Sequence, residues 1–144
     1  MAIELKAMVL IQNNGDLLVS KGFDEIKQSH FYRLLGGHVE FSETAEQAVR
    51  REIMEEIGSE IQDLKLVGVI ENLFTYQGKQ GHEIDYLFSG RLTLAELLKQ
   101  RKFRLQEDDG ELWAEWVPAV EIFNGSIPLY PPYDYRSYLE NIGT

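Results

Sequence analysis

Between residues 45 and 57 the chain sets three glutamates, Glu52, Glu55 and Glu56, at positions i, i+3 and i+4. At 3.6 residues per helical turn these carboxylates converge on one side, while Val49, Ile53 and Ile57 form a neighbouring apolar stripe suited to packing on a sheet. Three mutually repelling carboxylates weaken an isolated helix. The fold must therefore supply an apolar surface under one side of it and a countercharge over the other. Hard oxygen donors at this spacing suit magnesium, with manganese as a substitute. Ala45 and Ala48 fall on the acidic side and are small, which predicts open space above the carboxylates.

The same region carries much of the chain's charge. The 144 residues hold 24 acids and 14 bases, a formal charge of −10. Residues 40–60 have seven glutamates against Arg50 and Arg51, and residues 105–115 have Glu107, Asp108, Asp109, Glu111 and Glu115 with no base. These two segments hold the whole excess. Such a field disfavours nucleic acid polymers and anionic membranes, and a polyanionic substrate needs a cation between it and this surface. Without cysteine, disulfides, Cys-ligated zinc, iron–sulfur clusters and thiolate nucleophiles are excluded. No stretch approaches bilayer length, and the expected location is the cytoplasm.

The length and the 44% hydrophobic content predict one domain over residues 1–144 with a buried core. Residues 5–11 and 16–20 read as a hairpin around Asn13-Asn14-Gly15, residues 21–31 as loop, and 32–35 as a short strand before Gly36 and Gly37 break the backbone. Ser42 or Thr44 caps the helix at 45–57. Residues 64–76 and 82–91 form a second hairpin with its turn at 77–81. Helices follow at 93–101, at 118–123 after a strand at 112–117, and at 133–142.

Residues 37–59, GHVEFSETAEQAVRREIMEEIGS, place Gly37, Glu43, then Arg51-Glu52-Ile53-Met54-Glu55-Glu56-Ile57-Gly58 at fixed intervals. This stretch resembles the box of the Nudix hydrolase family: glycine, five residues, glutamate, seven residues, Arg-Glu-aliphatic-x-Glu-Glu-x-Gly-aliphatic. Only the last position departs, with Ser59 in place of an aliphatic residue. The resemblance implies an α/β/α sandwich with a mixed sheet and hydrolysis of a pyrophosphate bond by water attack on phosphorus. It implies Glu52, Glu55, Glu56 and the Gly37 carbonyl as metal ligands, with Glu52 first choice to position or deprotonate water. Arg51 is implied to orient Glu43 or Glu55.

The resemblance also implies an additional acid from outside the box, since many members of the family carry one, some of them at a fixed offset before a tryptophan. Glu111, five residues before Trp116, is the first candidate, and Glu83, Glu115 and Asp109 are its rivals. Counting back from Gly110 puts Leu105 where an EF-hand needs its first acid, so a calcium loop is disfavoured. Candidate substrate contacts are His38, Glu83 and Tyr76. His82 flanks the same region, and Phe74 and Tyr76 could stack a base or fill a sheet face. Tyr76 falls 17 residues past the box, where diadenosine polyphosphate hydrolases of the family tend to carry tyrosine. Trp113 and Trp116 alternate in a strand, so at least one is core. Lys99, Arg101, Lys102 and Arg104 read as a solvated helix face.

The expected activity is a magnesium-dependent pyrophosphohydrolase acting on a small nucleotide. The alternative is a non-catalytic module of the same fold that senses a nucleotide; a protein–protein adaptor has no supporting feature. A homodimer is compatible with the small size. Base and leaving group lie outside what the box specifies.

Overall fold

The computed structural model describes residues 2–106 and 112–138. The strands are β1 (Glu4–Asn13), β2 (Asp16–Asp24), β3 (Ser29–His38), β4 (Ile61–Tyr76), β5 (Lys79–Leu92), β6 (Lys102–Arg104), β7 (Trp113–Pro118) and β8 (Leu129–Tyr130). The helices are α1 (Ala45–Ile57), α2 (Ala95–Lys99) and α3 (Ala119–Phe123), with a 3-10 turn at Tyr135–Tyr138. The strands form a mixed sheet in the order β4-β5-β1-β3-β2-β7-β6, with β8 added to β3. The β1–β5 and β3–β8 pairs are parallel and the rest antiparallel.

β1 explains the layering. Its run Ala7-Met8-Val9-Leu10-Ile11 is apolar without alternation because both faces are covered. Ala7, Val9 and Ile11 pack with Ala48, Val49, Ile53 and Ile57 of α1, whereas Met8 and Leu10 pack with Val117, Ala119, Leu129 and Tyr135 on the other side. Burying each of the larger α1 side chains is worth about 1.5–3 kcal/mol, enough to hold a helix whose glutamates oppose it. This is the expected sandwich.

α1 begins where Thr44 accepts a hydrogen bond from the Gln47 backbone N–H while the Gln47 side chain accepts one from the Thr44 N–H. Thr44 is therefore the cap. The helix ends at Gly58, at φ 67°, with its N–H donating to the Met54 carbonyl.

Several segments depart from the sequence reading. The expected loop at 21–31 belongs mostly to strands: β2 runs on to Asp24 and β3 begins at Ser29, so 32–35 is only the middle of a ten-residue strand. Its residues look like loop because this end of the hairpin is largely exposed and polar. Gly36 and Gly37 do not break the chain; they pair with Met8 and Ala7 inside β3. Ala48 lies in the core beside Val49, so it leaves no space above the carboxylates. The second hairpin starts at Ile61 and turns over Gln77-Gly78, both at positive φ. β6 and β8 are too short to leave a pattern, and the helix expected at 133–142 is a 3-10 turn as far as Tyr138, residues 139–142 lying outside the described ones.

The basic cluster is split rather than helical. Arg101 donates to Asp16 at 2.8 Å, and Lys102 and Arg104 of β6 lie over the Trp113 ring. Trp116 is buried and donates to the Leu97 carbonyl, whereas Trp113 is partly exposed.

Candidate active site

The acidic side of α1 faces the end of β3, and Arg51 organises the space between them. Its Nε and Nη2 donate to the two Glu43 oxygens at 2.8 and 3.0 Å, a bidentate pair. Nη1 donates to Glu52 at 2.9 Å and lies 3.4 Å from Glu55, and Nη2 also donates to the His38 carbonyl at 3.0 Å. Arg51 thus ties the loop before α1, the helix and the end of β3 together. The Arg51 guanidinium holds the Glu43 carboxyl down at about 2.

Glu52 behaves differently. Burial pushes its carboxyl above the usual range, against the pull of Arg51, and the Glu55 charge adds to the shift. A Cβ added at Gly37 would stand 2.5 Å from the Glu52 carboxyl carbon, so glycine is needed there for the carboxylate to lie against the strand. At Gly36, φ 140°, a Cβ would fall on the Ala7 carbonyl and 2.8 Å from the Met8 Cα. The buried Glu56 accepts a hydrogen bond from the Gly36 N–H at 3.2 Å. Glu55 is the exposed member, at 47% of its side chain.

Among the described residues no three acidic or imidazole side chains already converge on one point. Arg51 and the Gly36 amide hold part of the glutamate set. The donor chemistry nevertheless fits a hard divalent cation: Glu43, Glu52 and Glu55 share one guanidinium, and Glu52 is already resisting ionisation. Glu52, Glu55, Glu56 and the Gly37 backbone are the residues able to hold such an ion.

Of the outside acids, Glu111 and Asp109 lie beyond the described residues. Their flanks are fixed: Leu105 N–H donates to the Leu112 carbonyl, and Gln106 N–H donates to the Glu56 carbonyl at 2.7 Å. Glu115 sits between Ala114 and Trp116, which pack in the α1 layer, so its side chain is on the opposite face. Glu83 is buried with its Oε2 2.5 Å from Lys6 Nζ, in a cavity rather than among the α1 glutamates.

That cavity, about 380 Å³, is lined by β1, β3, β4, β5 and the segment at Tyr130–Pro131. Tyr76 and Phe74 line it, and Tyr76 meets the Phe31 ring edge-on at 5.4 Å. His38 does not line it, but its Nε2 lies 3.0 Å from Glu4, which does. His82 is paired with Glu71 at 2.9 Å.

Sequence reasoning passed over four residues here. Asp24 accepts from the Ile26, Lys27 and Gln77 backbone N–H groups, pinning the β2–β3 turn to the tip of the β4–β5 hairpin. Burial opposes its ionisation, yet these bonds from Lys27, Gln77 and Ile26 prevail and keep its carboxyl below the usual range. Lys6 and Asn72 line the cavity, and Asp85 is buried beside them. A signal did exist for Asp85. In HEIDYLF the acids Glu83 and Asp85 alternate with Ile84 and Tyr86, so both fall on one face of a strand that is otherwise apolar.

Residues 4–138 match the family model of the NUDIX domain. Among solved structures, a NUDIX hydrolase from Nitrosomonas europaea superposes with a TM-score of 0.64 at 20% identity, over 90% of this chain and 82% of that one. The E. coli ORF135 protein gives 0.52 at 22% identity, over 91% and 83%. A MutT NUDIX hydrolase from Burkholderia pseudomallei gives 0.51 at 23% identity, over 82% and 84%. At these identities the likeness is one of fold.

Proposed function

Because the chain belongs to the NUDIX family, whose members are hydrolases of small molecules, we propose that it is a magnesium-dependent pyrophosphohydrolase of nucleoside di- or triphosphates or of nucleoside diphosphates linked to another group. One NUDIX domain then accounts for the whole chain, and manganese can replace magnesium. The observation that carries this reading is the Arg51 cluster, where a single guanidinium serves Glu43, Glu52 and Glu55 beside two glycines that let Glu52 and Glu56 meet the backbone of β3.

In this reading Glu52, Glu55, Glu56 and the Gly37 carbonyl hold the ion, and Arg51 keeps the carboxylates in register. The chemistry a divalent ion supplies is neutralisation of phosphate oxygens and a lowered pKa for an attacking water. Glu52 takes the proton of that water as its oxygen bonds to phosphorus, a role suited to a carboxyl raised by burial. The bridging P–O bond breaks and its electron pair leaves with the departing phosphate. Glu111 supplies a further acid, a role supported by the anchoring of Gln106 at the Glu56 carbonyl. The cavity takes the nucleoside, with Tyr76 in its wall, Glu83 in its floor, and His38 toward the phosphates.

A soluble nucleotide substrate makes the cytoplasm the natural location. Among the described residues, no helix is long and apolar enough to cross a membrane. The test is a product-resolved screen of nucleoside triphosphates, dinucleoside polyphosphates, nucleotide sugars and ADP-ribose with magnesium and with manganese. Release of a phosphate or a nucleoside monophosphate only when the metal is present supports the proposal. Tight nucleotide binding with no product over hours supports a sensor module instead.

A further inference from the structure

α1 covers only part of the sheet face it packs on. It lies over β1 and β3 and touches β4 little, so the same face of β4 and β5 emerges from beneath it. Strand pairing fixes what emerges. Glu71 of β4, Ile84 of β5 and Leu5 of β1 form one row, and Val69, Tyr86 and Ala7 form the next. Ala7 belongs to the core under α1, so both rows lie on that face, since opposed residues, and residues two apart in a strand, share a side. Leu73 extends the face past Glu71. Leu66 pairs with Phe88, another residue of that core, and the bulge between Leu66 and Gly68 keeps Leu66 on the side of Val69. Leu5, Leu66, Val69 and Leu73, with Ile3 just before β1, are between 44% and 71% exposed, and Ile84 and Tyr86 are partly exposed among them. The one charged side chain in these rows, Glu71, is paired with His82 at 2.9 Å. Tyr138, the last described residue, lies against Gly68 on the other face of the sheet.

We propose that this face is a dimer interface whose occupant is a second copy of the chain, packed β4–β5 on β4–β5 about a two-fold axis. These side chains present on the order of 500 Å² of apolar surface, near the upper end for a monomer. A standard interface takes about 800 Å² from each partner, a little over half of it apolar. The patch thus supplies the apolar share of one half-interface. About a two-fold axis each patch meets its own copy, so one sequence provides both halves. Leucine and valine side chains on a pleated surface interdigitate with a like face at a sheet spacing of about 10 Å. The formal charge of −10 opposes association through most of the surface, whereas the only acid in these rows already has an imidazole partner. The same charge disfavours an anionic lipid surface as the occupant. The dimer does not depend on the hydrolase reading.

The experiment is sedimentation velocity on the full chain from about 1 to 100 μM, with Val69→Lys, Leu73→Lys and, as a control, Val120→Lys. Val120 is exposed on α3, on the opposite side of the sheet. All three positions are exposed, so the variants should melt near the parent. The parent should sediment at twice the chain mass at the upper concentrations. Val69→Lys and Leu73→Lys each bring an unpaired ammonium into the interface and should weaken the dimer about tenfold or more, and Val120→Lys should leave it unchanged. The two interface variants are independent, so failure of one to fold leaves the other to decide. The proposal is overturned if the parent is anything but a dimer at about 100 μM, including a monomer that sediments with phosphatidylcholine–phosphatidylglycerol vesicles. It is equally overturned if the folded interface variants dimerise as the parent does, or if Val120→Lys weakens the dimer as much as they do.

Discussion

Arg51 and Glu43, eight residues apart in the chain, are joined by two parallel hydrogen bonds of 2.8 and 3.0 Å, and the same guanidinium reaches Glu52 at 2.9 Å. Lysine has one ammonium and no fork, so it cannot hold Glu43 bidentately while also reaching Glu52. Arg51→Lys should lower turnover by about tenfold or more, while the melting temperature falls by only a few degrees, since the group is partly solvated. Steady-state kinetics set beside a thermal melt separate the two effects.

The same pair sets an acid limit. Glu43, ordinarily near 4.5, is held at about 2, so its bonding to Arg51 is fully present above the unfolded value and is lost as pH falls through the window from about 4.5 to 2. Glu43→Gln should flatten the stability curve in that window, measured by denaturant titration at each pH. An unchanged slope would show that the fork contributes nothing to acid stability.

Glycines 36 and 37 should fail in different ways. Gly36→Ala places a Cβ on the Ala7 carbonyl at a φ of 140°, so it should destabilise the fold by roughly 2 kcal/mol or more. Gly37→Ala meets first the Glu52 carboxyl, a movable side chain, so it should fold and melt nearly as the parent does yet lose activity and divalent-ion affinity. Comparing melting temperature with magnesium titration of the two variants checks this division.

Asp85 is fully buried, its carboxylate oxygens have no well-formed hydrogen bond among the described residues, and burial reinforced by the adjacent Glu83 carboxylate raises it to about 7. The folded state therefore binds more protons than the unfolded one between about pH 4 and 7, and stability should fall as pH rises through that window. A shift of this size corresponds to a few kcal/mol, on the order of 1.4 per pKa unit. Asp85→Asn should remove the decline and make the protein more stable at pH 8. Equilibrium unfolding at pH 5 and pH 8 reads the difference.

The box was legible because its residues carry strong local signals: a capping threonine, an apolar stripe of Val49, Ile53 and Ile57, and glutamates at helical spacing, all realised in α1 at 45–57. The long strands β2 and β3 were not, because Lys21 to His30 sit at the exposed end of a hairpin where nothing demands an apolar face. Gly36 and Gly37 look like turn residues in sequence, yet they serve close approach within a strand, and only the tertiary neighbours Ala7 and Glu52 reveal it. Glu83 and Tyr76 were singled out without the reason for their grouping. The cavity depends on which residues of β4, β5 and β1 stand opposite one another, and that register is set by pairing between segments distant in the chain.

The proposed function requires the α1 glutamates to hold a divalent metal. Its most direct test is release of phosphate or pyrophosphate, with magnesium, from the best substrate of the nucleotide screen by the parent protein and by Glu56→Gln. We expect metal-dependent turnover in the parent and its near-complete loss in the variant, with the fold intact by circular dichroism. Undiminished turnover in Glu56→Gln, or turnover indifferent to removal of divalent ions, would show that these glutamates hold no catalytic metal.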